Sequence, residues 1–376
     1  MTTPSGLSSA PGQRRIDALL RIVLDKKASD LHLAVGSPPM IRTDGDIERV
    51  KWRTLTEHEY ENLIRPIAPP KLWDDWSAKG DTDFAYAMGD RARFRVNLFR
   101  QENGAAAVLR MIPPRVLTIE ELGMPPIVAS VGRIQRGLVL VTGPTGSGKS
   151  TTLAALLDWI NRNRALHVVT VEDPVEFMHV SNKAIMTHRE VGFDTMNFAA
   201  AVKAALREDP DVLLVGELRD LETMTMALQA AETGLLVFGT LHTNSAAKAV
   251  DRLIDGFPSE EQDQVRTVLA ETLKGVVAQV LLKKKGRGRV PAFEVLRGSA
   301  ALSNAIREGK TATINSMIQM GKSQGMVAMD QYLADLVVAE TVEFEEAFEK
   351  ALDKDQFKNV VEKRKVAARA EKAANP

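Results

Sequence analysis

One nine-residue stretch constrains this chain more than any other part of its sequence. It has the form G-x-x-x-x-G-K-S and consists of Gly143, Pro144, Thr145, Gly146, Ser147, Gly148, Lys149, Ser150 and Thr151. The apolar run 138–141 precedes it, and the helix-compatible run 152–160 follows it. Strand, glycine-rich loop and helix in this order are the context that a phosphate-binding loop requires. The stretch therefore predicts a nucleotide site rather than a glycine-rich turn with a surface lysine.

The chemistry of such a loop assigns a role to several of its residues. Glycines let successive backbone N–H groups point inward at phosphate oxygens, and the helix N-terminus adds partial positive charge. We expect Lys149 to reach the β- and γ-phosphates and the Ser150 hydroxyl to hold Mg²⁺.

Length and charge narrow the class of protein. From its length of 376 residues we expect about two to three domains. Its formal net charge is zero, so no whole-chain field favours nucleic acid or an acidic membrane. It has no cysteines, which excludes disulfides and cysteine-ligated zinc and fits a reducing cytoplasm. The sequence shows neither a secretory pattern nor a run of ~18 apolar residues, so we expect any membrane role to depend on a partner.

The first part of the chain mixes helical and alternating patterns. We predict a small α+β (PAS-like) domain over 16–112, a disordered arm over 1–15, and a linker over 113–124 that starts at two prolines. The predicted elements are a helix over 14–26, a strand over 29–35, a turn at Asp44-Gly45, a helix over 56–67 and strands over 84–86, 92–99 and 105–110.

Three arginines of this domain allow two interpretations. Arg93 and Arg95 are two apart on a predicted strand and so share a face, and Arg110 lies on a neighbouring strand. The pattern alone favours a solvated polar face. The alternative is that these arginines contact phosphate from a second domain or subunit.

From residue 136 the pattern changes to short apolar runs that alternate with helical segments. This order predicts an α/β domain over 125–348, with a parallel sheet wrapped by helices and C-terminal helices after it. The runs are 138–141, 168–171, 212–215 and 235–238. Each run ends in polar residues, and ligands of such sheets bind beyond the carboxyl ends of strands. We therefore expect a lysine, carboxylates and a histidine in one crevice.

Phosphoryl transfer to water suggests a role for each of these side chains. Glu217 follows the third run and is expected to serve the metal through water, although Gly216 replaces the aspartate usual before it. Glu176 lies past the second strand and is our candidate general base. Glu172 and Asp173 either belong to the site or are capping or solvent-exposed residues of a turn. His242 is either a γ-phosphate sensor or a structural histidine.

The remainder of the chain carries weaker signals. Residues 260–282 are apolar at helical spacing, and 283–289 form a basic loop. A solvated turn is favoured for that loop over contact with acidic lipid or an acidic partner. Residues 349–376 are expected to be an exposed charged tail. Further helices are predicted over 301–308, 311–320 and 329–338.

Several motifs together resemble the secretion-superfamily ATPases. They are the loop at 143–151, VEDPVE at 171–176, LREDPD at 206–211, VGELRD at 215–220, AETG at 231–234 and GTLHT at 239–243. Within that superfamily the chain is most similar to the PilT-like type IV pilus retraction ATPases. The segments that carry this closer similarity are 92–97, 120–124 and 301–308. The resemblance spans roughly residues 16–345.

The resemblance implies an architecture and partners. It implies a cytoplasmic homo-hexameric ring whose subunits each have one small N-terminal domain and one RecA-like domain, with ATP and Mg²⁺ bound between them. It implies hydrolysis of ATP to drive pilin disassembly and twitching motility at the inner membrane. The expected partners are an inner-membrane pilus platform protein and a second retraction ATPase, with no nucleic acid.

The resemblance also assigns site residues. It makes Lys149 and Ser150 phosphate and magnesium ligands, Glu176 the catalytic carboxylate, and Glu217 the second acidic motif. His242 belongs to the histidine box of the family. The resemblance turns Arg93, Arg95 and Arg110 into arginine sensors, against the interpretation that the pattern alone favours.

Two departures from the family pattern keep other functions open. Leu235 stands where the family carries a histidine, and residues 303–305 differ from the retraction-specific segment. The alternatives are an accessory PilU-like ring of weak ATPase activity and a pilus assembly or secretion ATPase. Assembly ATPases are longer and carry a four-cysteine zinc element. A RecA-like nucleic-acid translocase is disfavoured by neutral charge and the lack of a basic, aromatic strip.

Overall fold

The computed structural model describes residues 11–43, 45–89, 91–112 and 115–374. Asp44 of the predicted turn, Pro113 and Pro114 of the predicted linker, and residues 1–10 of the predicted arm lie outside the described residues. The chain divides into two compact units, residues 1–115 and 116–376.

The helices are α1 (Pro11–Asp25), α2 (Glu57–Ile64), α3 (Pro70–Lys79), α4 (Pro126–Val131), α5 (Lys149–Asn163), α6 (Phe198–Ala205), α7 (Leu221–Glu232), α8 (Ala246–Asp255), α9 (Gln262–Thr272), α10 (Ala300–Arg307), α11 (Ile314–Met320), α12 (Met329–Val338), α13 (Phe344–Lys350) and α14 (Lys354–Ala374). The strands are β1 (Asp30–Ala34), β2 (Met40–Thr43), β3 (Asp46–Arg49), β4 (Asp81–Ala87), β5 (Arg93–Gln101), β6 (Gly104–Ile112), β7 (Gly137–Thr142), β8 (His167–Glu172), β9 (Ile185–Glu190), β10 (Val212–Val215), β11 (Leu236–Leu241), β12 (Leu273–Lys283) and β13 (Arg289–Arg297). Helix α1 begins at Pro11, inside the predicted arm.

The first unit is built on an antiparallel sheet in the order β3-β2-β1-β6-β5-β4. Strand β5 alternates the buried Phe94 and Val96 with partly exposed arginines, as a strand with one wet face requires. Helix α1 contributes buried residues at helical spacing to the same core, among them Ile16 and Leu19. This unit is the α+β arrangement that the patterns predict.

The second unit is built on a seven-stranded sheet in the order β13-β12-β7-β11-β10-β8-β9. All neighbouring strands are parallel except the pair β12 and β13. Every residue of β7, β10 and β11 is buried, which means that both faces of the sheet are covered. Two hydrophobic cores, one on each side, contain alternate residues of these strands. Because β7, β8, β10 and β11 are parallel, their carboxyl ends lie at the same edge of the sheet.

The prediction of a helix over residues 260–282 is wrong in its second half. Helix α9 ends at Thr272, and Leu273 opens β12, which pairs with β7 and β13. A buried strand and a buried helix both present a continuous apolar run, so local periodicity does not separate them. The basic loop forms the turn of the resulting β12–β13 hairpin, where the Lys284 N–H donates to the Gly288 carbonyl oxygen at 3.0 Å.

The prediction of an exposed C-terminal tail is also wrong where the tail begins. Phe357 and Val361 on α14 are buried, in a core that includes residues of α12 and α13. The Phe357 ring lies 5.6 Å from the Phe344 ring and 6.4 Å from the Phe348 ring, between centroids. Phe357 and Val361 are four residues apart, so they share one side of the helix and dock together.

Candidate functional site

The phosphate loop links the end of β7 to the start of α5, as its motif predicts. Gly143, Gly146 and Gly148 have positive φ angles of 154°, 78° and 89°. A Cβ atom on Gly143 would lie 2.3 Å from the Gln279 carbonyl oxygen and 2.5 Å from Ser147 Oγ. Glycine is therefore required there both by conformation and by space.

Lys149 points back across its own loop. Its Nζ donates to the carbonyl oxygens of Gly143 at 2.7 Å and Pro144 at 3.2 Å. Burial lowers the pKa of Lys149, and the charges of Glu217 and Glu176 oppose that shift. The two carboxylates therefore lie within electrostatic reach of the lysine, as the strand-end argument expects.

The interior of the loop contains a buried hydroxyl with unmet hydrogen-bonding capacity. Ser147 is 2% exposed, and its Oγ has no hydrogen-bond partner among the described residues. Such orphan groups are rare in folded proteins because they lose their bonds to water. A phosphate oxygen would satisfy this hydroxyl, so the loop fits a nucleotide. Ser150 and Thr151 are partly exposed in the first turn of α5, while Pro144, Thr145 and Gly146 are exposed at the loop mouth.

The ends of β10 and β11 bring two more predicted residues together. Glu217 Oε1 lies 3.1 Å from His242 Nε2, and Glu217 Oε2 pairs with Arg219 Nε at 2.6 Å. The two strands are parallel neighbours, so the residues that follow them lie side by side. Glu217 is thus held by one histidine and one arginine.

The glycine before Glu217 has a packing reason. A Cβ atom on Gly216 would lie 3.1 Å from the Val171 carbonyl oxygen and 3.3 Å from the Cα of Glu172. The Gly216 N–H donates to that same carbonyl at 2.8 Å. An aspartate at this position would need β8 to move by a few tenths of an ångström.

Glu176 lies in the segment that joins β8 to β9. The preceding residue, Val175, donates its N–H to Glu190 Oε2 at 2.9 Å, which ties the segment to β9. At the end of β8, burial raises the pKa of Glu172 to about 7, and the Glu176 charge adds to the rise. Glu172 is partly exposed as a residue, while its carboxyl is enclosed by the protein beside Glu176.

Gln279, which was not among the predicted site residues, contacts the loop from β12. Its Nε2 donates to the Ser147 carbonyl oxygen at 2.6 Å, and its Oε1 accepts from Thr152 Oγ1 at 2.7 Å. A single glutamine inside the apolar run 276–282 is a signal that could have identified it. The helix predicted for this segment concealed the signal, since a helix would not place Gln279 beside β7.

A link between two strand ends was also not predicted. The N–H of Thr243 donates to Thr142 Oγ1 at 2.8 Å, and the two threonine hydroxyls lie 2.8 Å apart. Thr142 is the last residue of β7, and Thr243 follows His242. The link therefore joins the start of the phosphate loop to the segment that carries the histidine.

The three predicted sensor arginines share one face of the first unit's sheet. Arg95 and Arg110 are directly opposite each other on β5 and β6, and Arg93 lies two residues along. Each of the opposed pair has an acidic neighbour: Arg95 Nε is 3.4 Å from Asp83 and Arg110 Nε is 2.8 Å from Asp30. Burial opposes ionisation of Asp30, but hydrogen bonds from Ser29 and Arg110 outweigh it and lower the pKa. Contact of these arginines with phosphate stays a prediction.

Across the described residues, histidine, aspartate and glutamate side chains form no cluster of three that could hold a metal ion. A magnesium ion at Ser150 and Glu217 would thus take most of its ligands from phosphate and water, as Mg²⁺ commonly does with nucleotides. None of the helices over the described ranges has the length and apolar character of a membrane span.

The fold and the site define a class of protein, the P-loop nucleotide hydrolases with a parallel central sheet. Residues 7–374 match the family described as type II/IV secretion system protein, and the chain belongs to that family. It is accordingly an ATPase, as predicted, and the predicted fold class is confirmed.

Named relatives support this assignment. The chain is 51% identical to the type IV pilus retraction ATPase PilT of Pseudomonas aeruginosa over 342 residues, which cover 91% of this chain and 99% of the relative. It is 36% identical to the type IV pilus ATPase PilU of the same organism, covering 88% of this chain and 87% of the relative. A crystal structure of the pilus retraction motor PilT with bound ADP superimposes with a TM-score of 0.82 at 43% identity, covering 90% of this chain and 97% of the other.

Proposed function

We propose that this chain is a motor ATPase whose hydrolysis of ATP drives type IV pilus retraction and twitching motility. The observation that carries the proposal is 51% identity to a pilus retraction ATPase over 99% of that relative's length. A second relative, 48% identical, is a twitching motility protein of Neisseria gonorrhoeae, covering 80% of both chains. Likeness at this level extends through both units of the chain.

Each residue of the site has its own role in the hydrolysis of ATP. The loop N–H groups and Lys149 bind the phosphates, for which Lys149 leaves the carbonyl oxygens of Gly143 and Pro144. Glu176 orients and deprotonates the attacking water. Mg²⁺, held by the Ser150 hydroxyl and through water by Glu217, would neutralise charge on the β- and γ-phosphates.

His242 and three arginines of the first unit are the proposed sensors of the γ-phosphate. His242 Nε2 lies 3.1 Å from Glu217 Oε1, so a change at either side chain reaches the other. Arg93, Arg95 and Arg110 are proposed to add positive charge at the γ-phosphate. Arginine suits this role because its planar fork stays charged and can hold phosphate in two places.

The proposed assembly and location follow from the same likeness. We expect a homo-hexamer at the cytoplasmic face of the inner membrane, held there by a pilus platform protein and acting with a second retraction ATPase. The measured mass of the purified chain with ATP tests the assembly. A formal net charge of zero supports the expectation that nucleic acid is not a partner.

One alternative has a specific observation in its favour. Leu235 replaces a histidine of the family pattern, and leucine can neither donate to nor accept from a phosphate or carboxylate. An accessory PilU-like ring of weak activity would fit that loss. The lower identity to PilU, 36% against 51%, favours the retraction motor. The turnover number of the purified chain alone discriminates the two.

The test is a deletion of the gene in its own organism, complemented with the parental chain or with Lys149→Ala. Removal of the phosphate-binding ammonium is expected to lower ATP hydrolysis by about a hundredfold or more. Cells with the deletion or with Lys149→Ala should carry excess pili and fail to twitch. ATPase rate, surface pili and twitching are the measurements.

Lys203→Ala is the matched control, since Lys203 is an exposed lysine on α6. It should restore pili and twitching as the parental chain does. Loss of surface pili in the deletion would refute retraction and support an assembly ATPase. Parental ATP turnover by Lys149→Ala would refute the site itself.

A further inference from the structure

Gln279 is a polar side chain of strand β12, and it contacts the phosphate loop. It is 2% exposed, and it lies against the loop with both its backbone and its side chain. A Cβ atom on Gly143 would meet its carbonyl oxygen at 2.3 Å, and one on Gly148 would meet its Nε2 at 2.9 Å. The backbone of Gln279 therefore packs against Gly143, and the end of its side chain packs against Gly148.

The amide of Gln279 binds at two places that are 127 and 132 residues away in the sequence. Nε2 donates to the Ser147 carbonyl oxygen at 2.6 Å, and Oε1 accepts from the Thr152 hydroxyl at 2.7 Å. The first bond holds the loop, and the second holds the first turn of α5. Both polar ends of the amide are thus used, which fixes the orientation of the side chain.

The bond to Ser147 sets the direction of a peptide unit. In a planar trans peptide the C=O and the following N–H point in opposite directions. The Ser147 carbonyl points at Gln279, so the N–H of Gly148 points away from β12. Backbone N–H groups that face the loop interior are the groups that bind phosphate. Rotation of this peptide would replace that donor with a carbonyl oxygen, which repels phosphate.

We propose that Gln279 is a positioning residue that holds the Ser147–Gly148 peptide in the orientation that binds phosphate. The inference rests on ATP binding at the loop. A purely structural role, in which Gln279 only satisfies buried groups, makes a different prediction. In that case, replacement of Gln279 would lower the stability of the fold and leave the affinity for nucleotide unchanged.

The first variant is Gln279→Met, which keeps the length and flexibility of the side chain and removes both hydrogen bonds. We expect the Kd for a fluorescent ADP analogue to rise about tenfold or more, because a hydrogen bond to a charged group is lost. The KM for ATP should rise by a similar factor with kcat nearly unchanged, since ground state and transition state lose the same contact.

Tyr60→Phe is the control for lost stability. It removes one buried hydrogen bond, from the Tyr60 hydroxyl to the Ala106 carbonyl oxygen at 2.8 Å, in the first unit. It should lower the Tm without changing the Kd for ADP. If Gln279→Met lowers the Tm and leaves the Kd and the KM at parental values, the positioning role is refuted while ATPase activity stands.

The second variant, Gln279→Glu, supplies a signature that depends on pH. A protonated carboxyl can donate to the Ser147 carbonyl oxygen and accept from Thr152, as the amide does, whereas a carboxylate cannot donate. Burial favours the protonated form. The Kd of this variant, relative to the parental chain at each pH, should fall as the pH is lowered from 8.5 to 6. A ratio that stays constant over this range contradicts the inference, even if Gln279→Met does not fold.

Discussion

At the scale of single residues, the candidate site is a set of charged groups in tight contact. Glu217 has a histidine and an arginine on its two oxygens, and Lys149 lies within reach of Glu217 and Glu176. Glu172 stands apart because burial raises its pKa to about 7. At neutral pH part of its population is therefore uncharged, which limits repulsion with Glu176.

The raised pKa of Glu172 predicts a dependence of stability on pH. The folded chain binds this proton more tightly than the unfolded chain, whose ordinary value is 4.5. The stabilisation is complete below that value and is lost as the pH rises through about 7. The side chain of Glu172→Gln does not titrate. The Tm of this variant minus the Tm of the parental chain should therefore increase by a few degrees from pH 5 to pH 8.

Thermal unfolding of both proteins at several pH values measures this difference. Glu222→Gln, at an exposed glutamate of α7, controls for the loss of one charge. A Tm difference between Glu172→Gln and the parental chain that is the same at pH 5 and pH 8 would contradict the assignment of an enclosed carboxyl.

At the scale of elements, the phosphate loop depends on its neighbours as much as on its own residues. Gly143 and Gly148 lie against β12, and Thr142 is bonded to the segment after β11. The loop is thus packed between two strands that are distant from it in the sequence. This packing supports the loop conformation, in which three glycines have positive φ angles.

Substitution of Gly143 by alanine should disrupt the loop. The new Cβ would lie 2.3 Å from the Gln279 carbonyl oxygen, which is backbone and cannot move aside freely. We expect the KM for ATP to rise by at least about tenfold, because the phosphate donors are displaced. Gly192→Ala is the control, since Gly192 has φ of 87° and open space around it. Equal ATPase kinetics in both variants would show that the close contact is unimportant.

The last helix gives a prediction about stability. Phe357 on α14 is fully buried and packs against the rings of Phe344 and Phe348. Phe357→Ala should lower the free energy of unfolding by about 3–5 kcal/mol, as removal of a buried aromatic ring does. Val366 on the same helix is 66% exposed, and Val366→Ala should change that free energy by less than about 0.5 kcal/mol. Urea unfolding measures both. A loss in Phe357→Ala as small as that in Val366→Ala would mean that α14 does not dock.

At the scale of the whole molecule, each of the two units has its own core. The loop, the carboxylates and His242 belong to the second unit, and the proposed sensor arginines belong to the first. The arginines share one face of their sheet, and Arg95 and Arg110 have acidic partners within that unit. A role for them in ATP hydrolysis therefore requires that ATP turnover in the second unit respond to changes in the first.

Arg110→Ala tests that requirement. If Arg110 stabilises charge on the γ-phosphate, the kcat for ATP should fall by at least about tenfold, while the Kd for ADP changes little. Arg49→Ala, at an exposed arginine of the same sheet, is the control. Asp30 loses a partner in Arg110→Ala, so the assay temperature must be well below the Tm of the variant. An unchanged kcat would leave Arg110 as a structural partner of Asp30.

The sequence by itself determined the features that depend on local pattern. The phosphate loop, the four runs that became β7, β8, β10 and β11, and the polar residues after them were all readable from spacing. Parallel strands carry their loops to one edge, so the meeting of Lys149, Glu217 and His242 followed from strand order. Once a strand is predicted correctly, the polar residues that follow it are located as well.

The tertiary structure alone decided what depends on distant pairing. Residues 273–283 form a strand because β7 and β13 supply partners for its backbone, and local periodicity does not show this. The role of Gln279 arises from the same pairing, since its two contacts are more than 120 residues away. The burial of Phe357 needs the core formed with α12 and α13. In each case the local pattern of the segment allows more than one structure. Contacts with distant segments stabilise the structure that forms.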